Sequence, residues 1–178
     1  MKIDFALAPA SIEEVFKIIA RVETGRSVLE RFLPLLNKGK VIIDHYSPDI
    51  VAKMREALGE GQPIGACFMI DGSHGTIFID PTSPIGVLAP FLVHEMIHAL
   101  NPDLWAAERR VMDRAQKDRL FLEVETEAFA AQHQFTTELR ERIPEYDAFL
   151  KAYSPKARIL VDRLTSTDIA DLYGFKVS

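Results

Sequence analysis

The stretch His94-Glu95-Met96-Ile97-His98 places two histidines four residues apart, with a glutamate directly after the first. Side chains four apart lie on the same face of a helix, so both imidazoles can reach one tetrahedral Zn²⁺. Glu95 lies about 100° round the helix, where its carboxylate can take a proton from an attacking water and return it to a departing amine. The stretch therefore predicts a zinc-dependent hydrolytic centre, with His94 and His98 as metal ligands and Glu95 as general base and acid.

The residues around this motif are apolar. Between Leu88 and Leu100, every residue except the two histidines and the glutamate is apolar, which predicts a helix buried on nearly all sides. Asn101-Pro102 then ends the helix. Polar side chains inside such a helix need partners. The alternative, core histidines satisfied by backbone carbonyls, would leave Glu95 unpaired.

A catalytic zinc takes three protein ligands and leaves a fourth position open. The third ligand is expected on a second helix, predicted from about Leu120 to Arg140. This helix carries four candidates: Glu123, Glu125, Glu127 and His133. Steps of four and three from Phe121 place Glu125 on the most apolar face, whereas Glu123 lies on a polar face and Glu127 at a boundary. The pattern favours Glu125 and leaves the other three as alternatives.

With Glu125-Thr126-Glu127-Ala128 on the second helix, the sequence resembles the gluzincin metallopeptidases. The likeness is closest to small bacterial members, namely minimal gluzincins and peptidase domains that cleave repressors, and it covers about residues 65–140. It implies an α+β, zincin-like fold, in which a small curved mixed sheet lies over the active helix and a second helix supplies the Glu ligand. It also implies one catalytic Zn²⁺ held by His94, His98 and Glu125, and limited or regulatory hydrolysis of protein or peptide substrates.

One position departs from the family pattern. Many gluzincins carry Asp or Asn four residues after the ligand Glu, as a hydrogen-bond acceptor for a zinc-binding histidine, and this chain has Phe129 there. Another group must then orient the imidazole. We expect Glu127, Asn101 or a backbone carbonyl to do so.

The C-terminal part contains candidates for a further catalytic role. Many zinc peptidases use a tyrosine or histidine to stabilise the oxyanion, and the candidates are Tyr146, Tyr153 and Tyr173. Residues 165–178 could fold back over the cleft and inhibit the enzyme, as termini do in some minimal gluzincins. The alternative is a tail that packs elsewhere.

Shorter elements are predicted around the two metal helices, all within one domain over residues 1–178. N-terminal helices over 12–22 and 26–36 are separated by Thr24-Gly25, and Ser11 with Glu14 predicts a capping box for the first. The sheet region, 41–81, comprises a strand at 41–46, a helix at 48–58, a loop at 59–63 and a hairpin of strands 65–70 and 76–80. The metal-site helices occupy 84–140, with a charged surface segment at 103–119 anchored by Trp105. Helices after Ile143-Pro144 and Ser154-Pro155, followed by the tail, occupy 141–178.

Three expectations concern the sheet region. In gluzincins the strand before the active helix borders the cleft, and an extended substrate adds to its free edge; here that strand is Gly75–Asp80, unless it is an interior strand. Cys67 lies in an apolar run and is expected to be a packed strand residue rather than a reactive thiol. His45 and His74 are expected to be exposed rather than metal ligands.

The composition limits which binding partners and which cellular location are expected for the protein. The chain has 178 residues, formal net charge −5, 48% hydrophobic and 26% charged residues, and its basic residues are scattered, which argues against nucleic-acid binding. No apolar run is long enough to span a bilayer, and the start lacks a signal-peptide pattern. A single cysteine fits a reducing compartment. We expect a cytoplasmic protein without membrane partners, and the oligomeric state is open.

Two other functions are compatible with the sequence. The first is an exported effector or toxin protease, since Thr24 to Leu29 resembles a turn in peptidase effector domains that bacteria deliver to host cells. A plain helix junction explains the same residues. The second is a zinc-binding, non-catalytic interaction domain. Glu95 argues against it, because a structural zinc site does not need that glutamate and more often takes Cys or His as its fourth ligand.

Overall fold

The computed structural model describes residues 3–58, 65–153 and 162–175. Within them the chain forms an α+β fold, as predicted. The strands are β1 (Val41–His45), β2 (Ala66–Asp71) and β3 (His74–Ile79). The helices are α1 (Ile12–Ile19), α2 (Glu23–Asn37), α3 (Pro48–Leu58), α4 (Ile85–Leu100), α5 (Pro102–Ala107), α6 (Arg114–Arg142), α7 (Pro144–Tyr153) and α8 (Ser166–Tyr173). The predicted loop at 59–63 and the helix after Ser154-Pro155 lie outside the described residues.

The sheet has the strand order β1-β3-β2 and is mixed. β1 pairs in parallel with β3, and β2 pairs antiparallel with it through the predicted hairpin, whose turn has a φ of 60° at Gly72. β3 is therefore paired on both edges, and the expectation that Gly75–Asp80 presents a free edge is wrong. No described strand pairs with the outer edge of β2.

α4 is the centre of the core. Fourteen of its sixteen residues are buried, so the prediction of a helix covered on nearly all sides is confirmed. It spans Ile85–Leu100 and so extends beyond the apolar stretch that begins at Leu88, within the predicted 84–140 region. α6 packs along it, α1 and α2 contact it as well, and the alternate residues Gly75, Ile77 and Ile79 of β3 are buried beneath the sheet.

The junction between the first two helices differs from the prediction. α1 ends at Ile19 and α2 begins at Glu23, so Thr24 and Gly25 lie inside α2 rather than between the helices. A carboxylate from α6 makes this possible, because Glu138 accepts hydrogen bonds from the Thr24 amide (3.0 Å) and hydroxyl (2.6 Å) at the start of α2. Long-range capping of this kind leaves no local sequence signal.

The predicted capping box of α1 does not form. The helix begins where expected, but the Ser11 side chain makes no capping hydrogen bond to it. The Glu14 carboxylate instead accepts a hydrogen bond from the Ala10 amide at 2.8 Å. The Glu14 carboxylate thus contributes to the start of α1, whereas the Ser11 side chain does not cap it.

The charged segment after α4 is shorter than predicted, because α6 begins at Arg114. Asp113 and Gln116 form a reciprocal capping box there. α5 is anchored by Trp105, as predicted, with its indole N–H donating to the Ala99 carbonyl at 2.8 Å. In the part of the chain that is described, no helix combines the length and the apolar composition needed to cross a membrane.

Candidate metal centre

Three side chains from two helices converge beside β2. His94 and His98 lie one turn apart on α4, and their Nε2 atoms are 2.9 Å from each other. Glu125, from the middle of α6, reaches both, with Oε2 3.2 Å from His94 Nε2 and Oε1 3.3 Å from His98 Nε2. The three residues form a group that could hold a metal ion.

The spacing and chemistry of this group fit a zinc ion. Tetrahedral ligands with bonds of about 2.0–2.1 Å lie roughly 3.3 Å apart, close to the 2.9, 3.2 and 3.3 Å seen between the nitrogen and oxygen atoms. Two imidazole nitrogens and a carboxylate are also a donor set that zinc accepts. The histidines are 4% and 7% exposed, so their ring nitrogens are shielded from bulk solvent.

The side chains of the group shift one another's pKa values. Burial acts to raise the pKa of Glu125, but the hydrogen bonds and charges of the two histidines outweigh it and lower the pKa to about 2. Burial acts to lower the pKa of His98, but Glu125 and Glu95 outweigh it and raise that pKa. The two histidines thus keep Glu125 ionised, which is the form of a carboxylate that binds a metal ion.

The other candidate ligands lie outside the group. Glu123 is exposed, and Glu127 is exposed and accepts a hydrogen bond from Asn101 Nδ2 at 3.3 Å. His133 is half-buried further along α6. His45 and His74 are exposed, as expected. Among the described residues, none of these joins His94, His98 and Glu125 in the metal-binding group.

Glu95 is buried and points at the sheet. Its Oε2 accepts a hydrogen bond from the Phe68 backbone amide of β2 at 2.8 Å. Burial raises the pKa of Glu95, although the two histidines and the Phe68 amide act in the opposite direction. Sequence reasoning missed Phe68, because a backbone donor on an edge strand carries no signal in residue type.

Cys67 is exposed, so the prediction that it is a packed residue is wrong. On β2, Ala66, Phe68 and Ile70 are half-buried, whereas Cys67, Met69 and Asp71 on the other face are exposed. The sequence shows only a continuous apolar run, which hides this alternation. Partial burial of the thiol and the nearby Glu95 carboxylate raise the pKa of Cys67.

One of the three tyrosine candidates lies near the metal group. Tyr146 is buried in the core and donates to the Gly86 carbonyl at 3.1 Å, and Tyr153 stacks on Phe149 with ring centroids 5.2 Å apart. Tyr173, on α8, lies beside Glu125; burial raises the pKa of this tyrosine, and the carboxylate adds to the rise. The C-terminal helix therefore flanks the metal group, and its inhibitory role stays a prediction.

The expected partners of the metal histidines are engaged elsewhere. Asn101 and Glu127 bond to each other, and no backbone carbonyl among the described residues accepts from either imidazole. The Nδ1 atoms of both His94 and His98 are buried without a hydrogen-bond partner. Phe129 instead packs against His94, with ring centroids 4.5 Å apart and planes inclined by 70°.

A cavity of about 370 Å³ opens beside β2. Its walls come from β2, α5 and the first turns of α6, and include Phe68, Ile70, Leu104, Leu120 and Phe121. Glu108, Arg110 and Lys117 also line it. The cavity shares Phe68 with the Glu95 hydrogen bond, and Phe121 lies one helical turn before Glu125 on α6. The cavity is thus a neighbour of the metal group.

The geometry defines a His-His-Glu group with metal-binding chemistry and a buried glutamate beside it. No family model matches the chain, and neither a curated protein nor a solved structure is found to match it. Any function assigned to it therefore rests on the residues and their arrangement.

Proposed function

We propose that this protein is a zinc-dependent metallopeptidase with a zincin-like fold, similar to the gluzincins, that hydrolyses peptide bonds in protein or peptide substrates. The observation that carries the proposal is the convergence of His94, His98 and Glu125 beside a buried Glu95. Three of these four residues would suffice to hold a metal. The fourth, Glu95, would supply the base that a hydrolase needs.

Glu95 is the residue that moves the proton. Zinc, when bound, supplies a Lewis acid that polarises the peptide carbonyl and makes the attacking water more acidic. Glu95 takes the proton from this water at its carboxylate and returns it to the nitrogen of the departing amine. Burial raises the pKa of this carboxyl, so Glu95 holds a proton more tightly than an exposed glutamate does. The Phe68 amide fixes the direction of the carboxylate.

The substrate would lie along the outer edge of β2. The Phe68 amide points away from β3 and towards Glu95, so by the two-residue period of a strand Ile70 also presents its backbone groups outward. An extended peptide can pair with such an edge through main-chain hydrogen bonds. This pairing would bring the scissile bond of the peptide close to Glu95.

The neighbouring cavity would receive a substrate side chain. Its walls combine apolar side chains with three charged ones, of which Arg110 and Lys117 are positive and Glu108 is negative. Neither cation forms a salt bridge with another described residue. We expect peptides with a large apolar residue next to an acidic one to be preferred.

The two alternatives have less support. The residues Thr24 and Gly25, which suggested an exported effector, are accounted for by the Glu138 hydrogen bonds and by close packing of α1 against α2. A non-catalytic zinc domain would have no use for Glu95, which lies outside the three-residue metal group. We retain a cytoplasmic location and a limited or regulatory role as expectations.

The decisive test separates metal binding from proton transfer. Glu95→Gln keeps the size of the side chain but removes the base, so it should retain zinc and lose about 10²–10⁴-fold in cleavage of a peptide library. Glu123→Gln, an exposed change on α6, is the matched control and should cleave as the wild type does. Unchanged cleavage by Glu95→Gln would refute the proposed mechanism.

A further inference from the structure

The two metal histidines lack the hydrogen bonds that usually hold such ligands. Both Nε2 atoms face the metal group, so each neutral imidazole that binds metal carries its proton on Nδ1. Both Nδ1 atoms are buried, and neither finds an acceptor among the residues that the structure describes. Metal-binding histidines almost always donate this proton to a carboxylate, a carbonyl or water.

The acceptors nearest in sequence are committed elsewhere. Asn101 Oδ1 accepts from the Asp103 and Leu104 amides at 2.9 and 3.3 Å, where it caps α5. The Asn101 amide nitrogen donates to Glu127, whose side chain is exposed. Turning Asn101 towards a histidine would therefore uncap α5.

Phe129 occupies the place beside His94 instead. It lies one helical turn after Glu125, is 5% exposed, and meets the imidazole edge to face at 4.5 Å. Such a contact fixes the orientation of a ring by packing. Unlike a carboxylate or an amide oxygen, the phenyl ring offers no strong acceptor to an N–H and does not make the ligand nitrogen more basic.

We propose that Phe129 is the positioning residue for His94, and that it tunes the centre to weak, readily exchanged zinc. This inference rests on the proposed zinc centre and concerns how zinc occupancy of that centre is regulated. Loss of an outer partner typically weakens metal binding by about 10–100-fold. Occupancy, and with it activity, would then follow the supply of free zinc rather than being permanent.

The test is zinc affinity, measured by competition with a chromophoric chelator at fixed pH, together with the rate of zinc release. Phe129→Asn supplies a neutral acceptor and should tighten binding about 10–100-fold and slow release. Phe129→Leu removes the ring without adding an acceptor and should bind more weakly than the wild type. Ile42→Asn makes a comparable apolar-to-amide change at an exposed position of β1, away from His94, and should bind as the wild type does.

A folded Phe129→Asn variant that binds no more tightly than the wild type would overturn the inference. Should the variant not fold, the imidazole N–H resonances of the zinc-loaded, ¹⁵N-labelled wild type decide. A strongly downfield Nδ1 proton on His94 would show a strong acceptor and overturn the proposal, whereas an upfield one supports it. If the wild type binds no zinc, the metal centre itself is refuted. If it binds zinc but Phe129→Asn binds no more tightly, only the role of Phe129 is refuted.

Discussion

Replacing Gly25 by alanine tests the packing that supports the metal helix. A Cβ at this position would lie 1.9 Å from the Ile19 carbonyl oxygen and 2.8 Å from its carbon, whereas contacts under 3.0 Å are essentially never seen. The two backbones would have to separate by at least 1.1 Å, the difference between 3.0 and 1.9 Å. Overpacking typically costs about 1–3 kcal/mol, and an obstacle of rigid backbone belongs at the upper end.

We therefore expect Gly25→Ala to lower the free energy of unfolding by about 3 kcal/mol. With a urea dependence of about 2 kcal/mol per molar, the midpoint should fall by about 1.5 M. Ser27→Ala, an exposed change in the same helix, should shift stability by less than about 0.5 kcal/mol. A loss below about 1 kcal/mol for Gly25→Ala would show that α1 and α2 do not approach as described.

Three further predictions concern individual side chains. Burial acts to raise the pKa of Glu138, but hydrogen bonds from Thr24 outweigh it and lower the pKa below 4.5. Glu138→Gln should therefore cost about 1 kcal/mol at pH 7, and the difference should vanish as pH falls through the lowered pKa, measured by urea unfolding at several pH values. Cys67 should react with a thiol reagent in the native protein, but slowly at neutral pH and faster as pH passes 9, because its pKa is raised from 9.0; a protected thiol would contradict its exposure. Lys117→Glu should reduce cleavage of peptides with an acidic residue beside the apolar one several-fold, whereas the exposed Lys38→Glu should not; equal effects would exclude a role for the cavity.

Local patterns in the sequence were enough to predict the main elements of the fold. The apolar run around His94 predicts α4, and the turn before His74 predicts the hairpin, because both patterns follow from the periods of helix and strand. The apolar face of the second helix favoured Glu125 over its acidic neighbours, and the structure brings Glu125 together with both histidines.

Features that depend on distant residues could not be predicted in this way. The start of α2 is set by Glu138, which lies 114 positions from Thr24. The strand order decides that β2 rather than β3 has a free edge. The exposure of Cys67 depends on which face of β2 packs against the rest of the protein. The sequence showed that Phe129 stands where many gluzincins have a hydrogen-bond acceptor. It did not show that the Nδ1 atoms of both His94 and His98 would lack a partner, because that depends on which other groups are already hydrogen-bonded.

Metal content of the purified protein tests the central claim most directly. Elemental analysis under zinc-replete conditions should find about one zinc per wild-type chain, none in Glu125→Ala, and a full complement in Glu127→Ala, whose side chain is exposed and outside the metal group. A wild type without zinc, or zinc retained by Glu125→Ala and lost by Glu127→Ala, would contradict the centre formed by His94, His98 and Glu125.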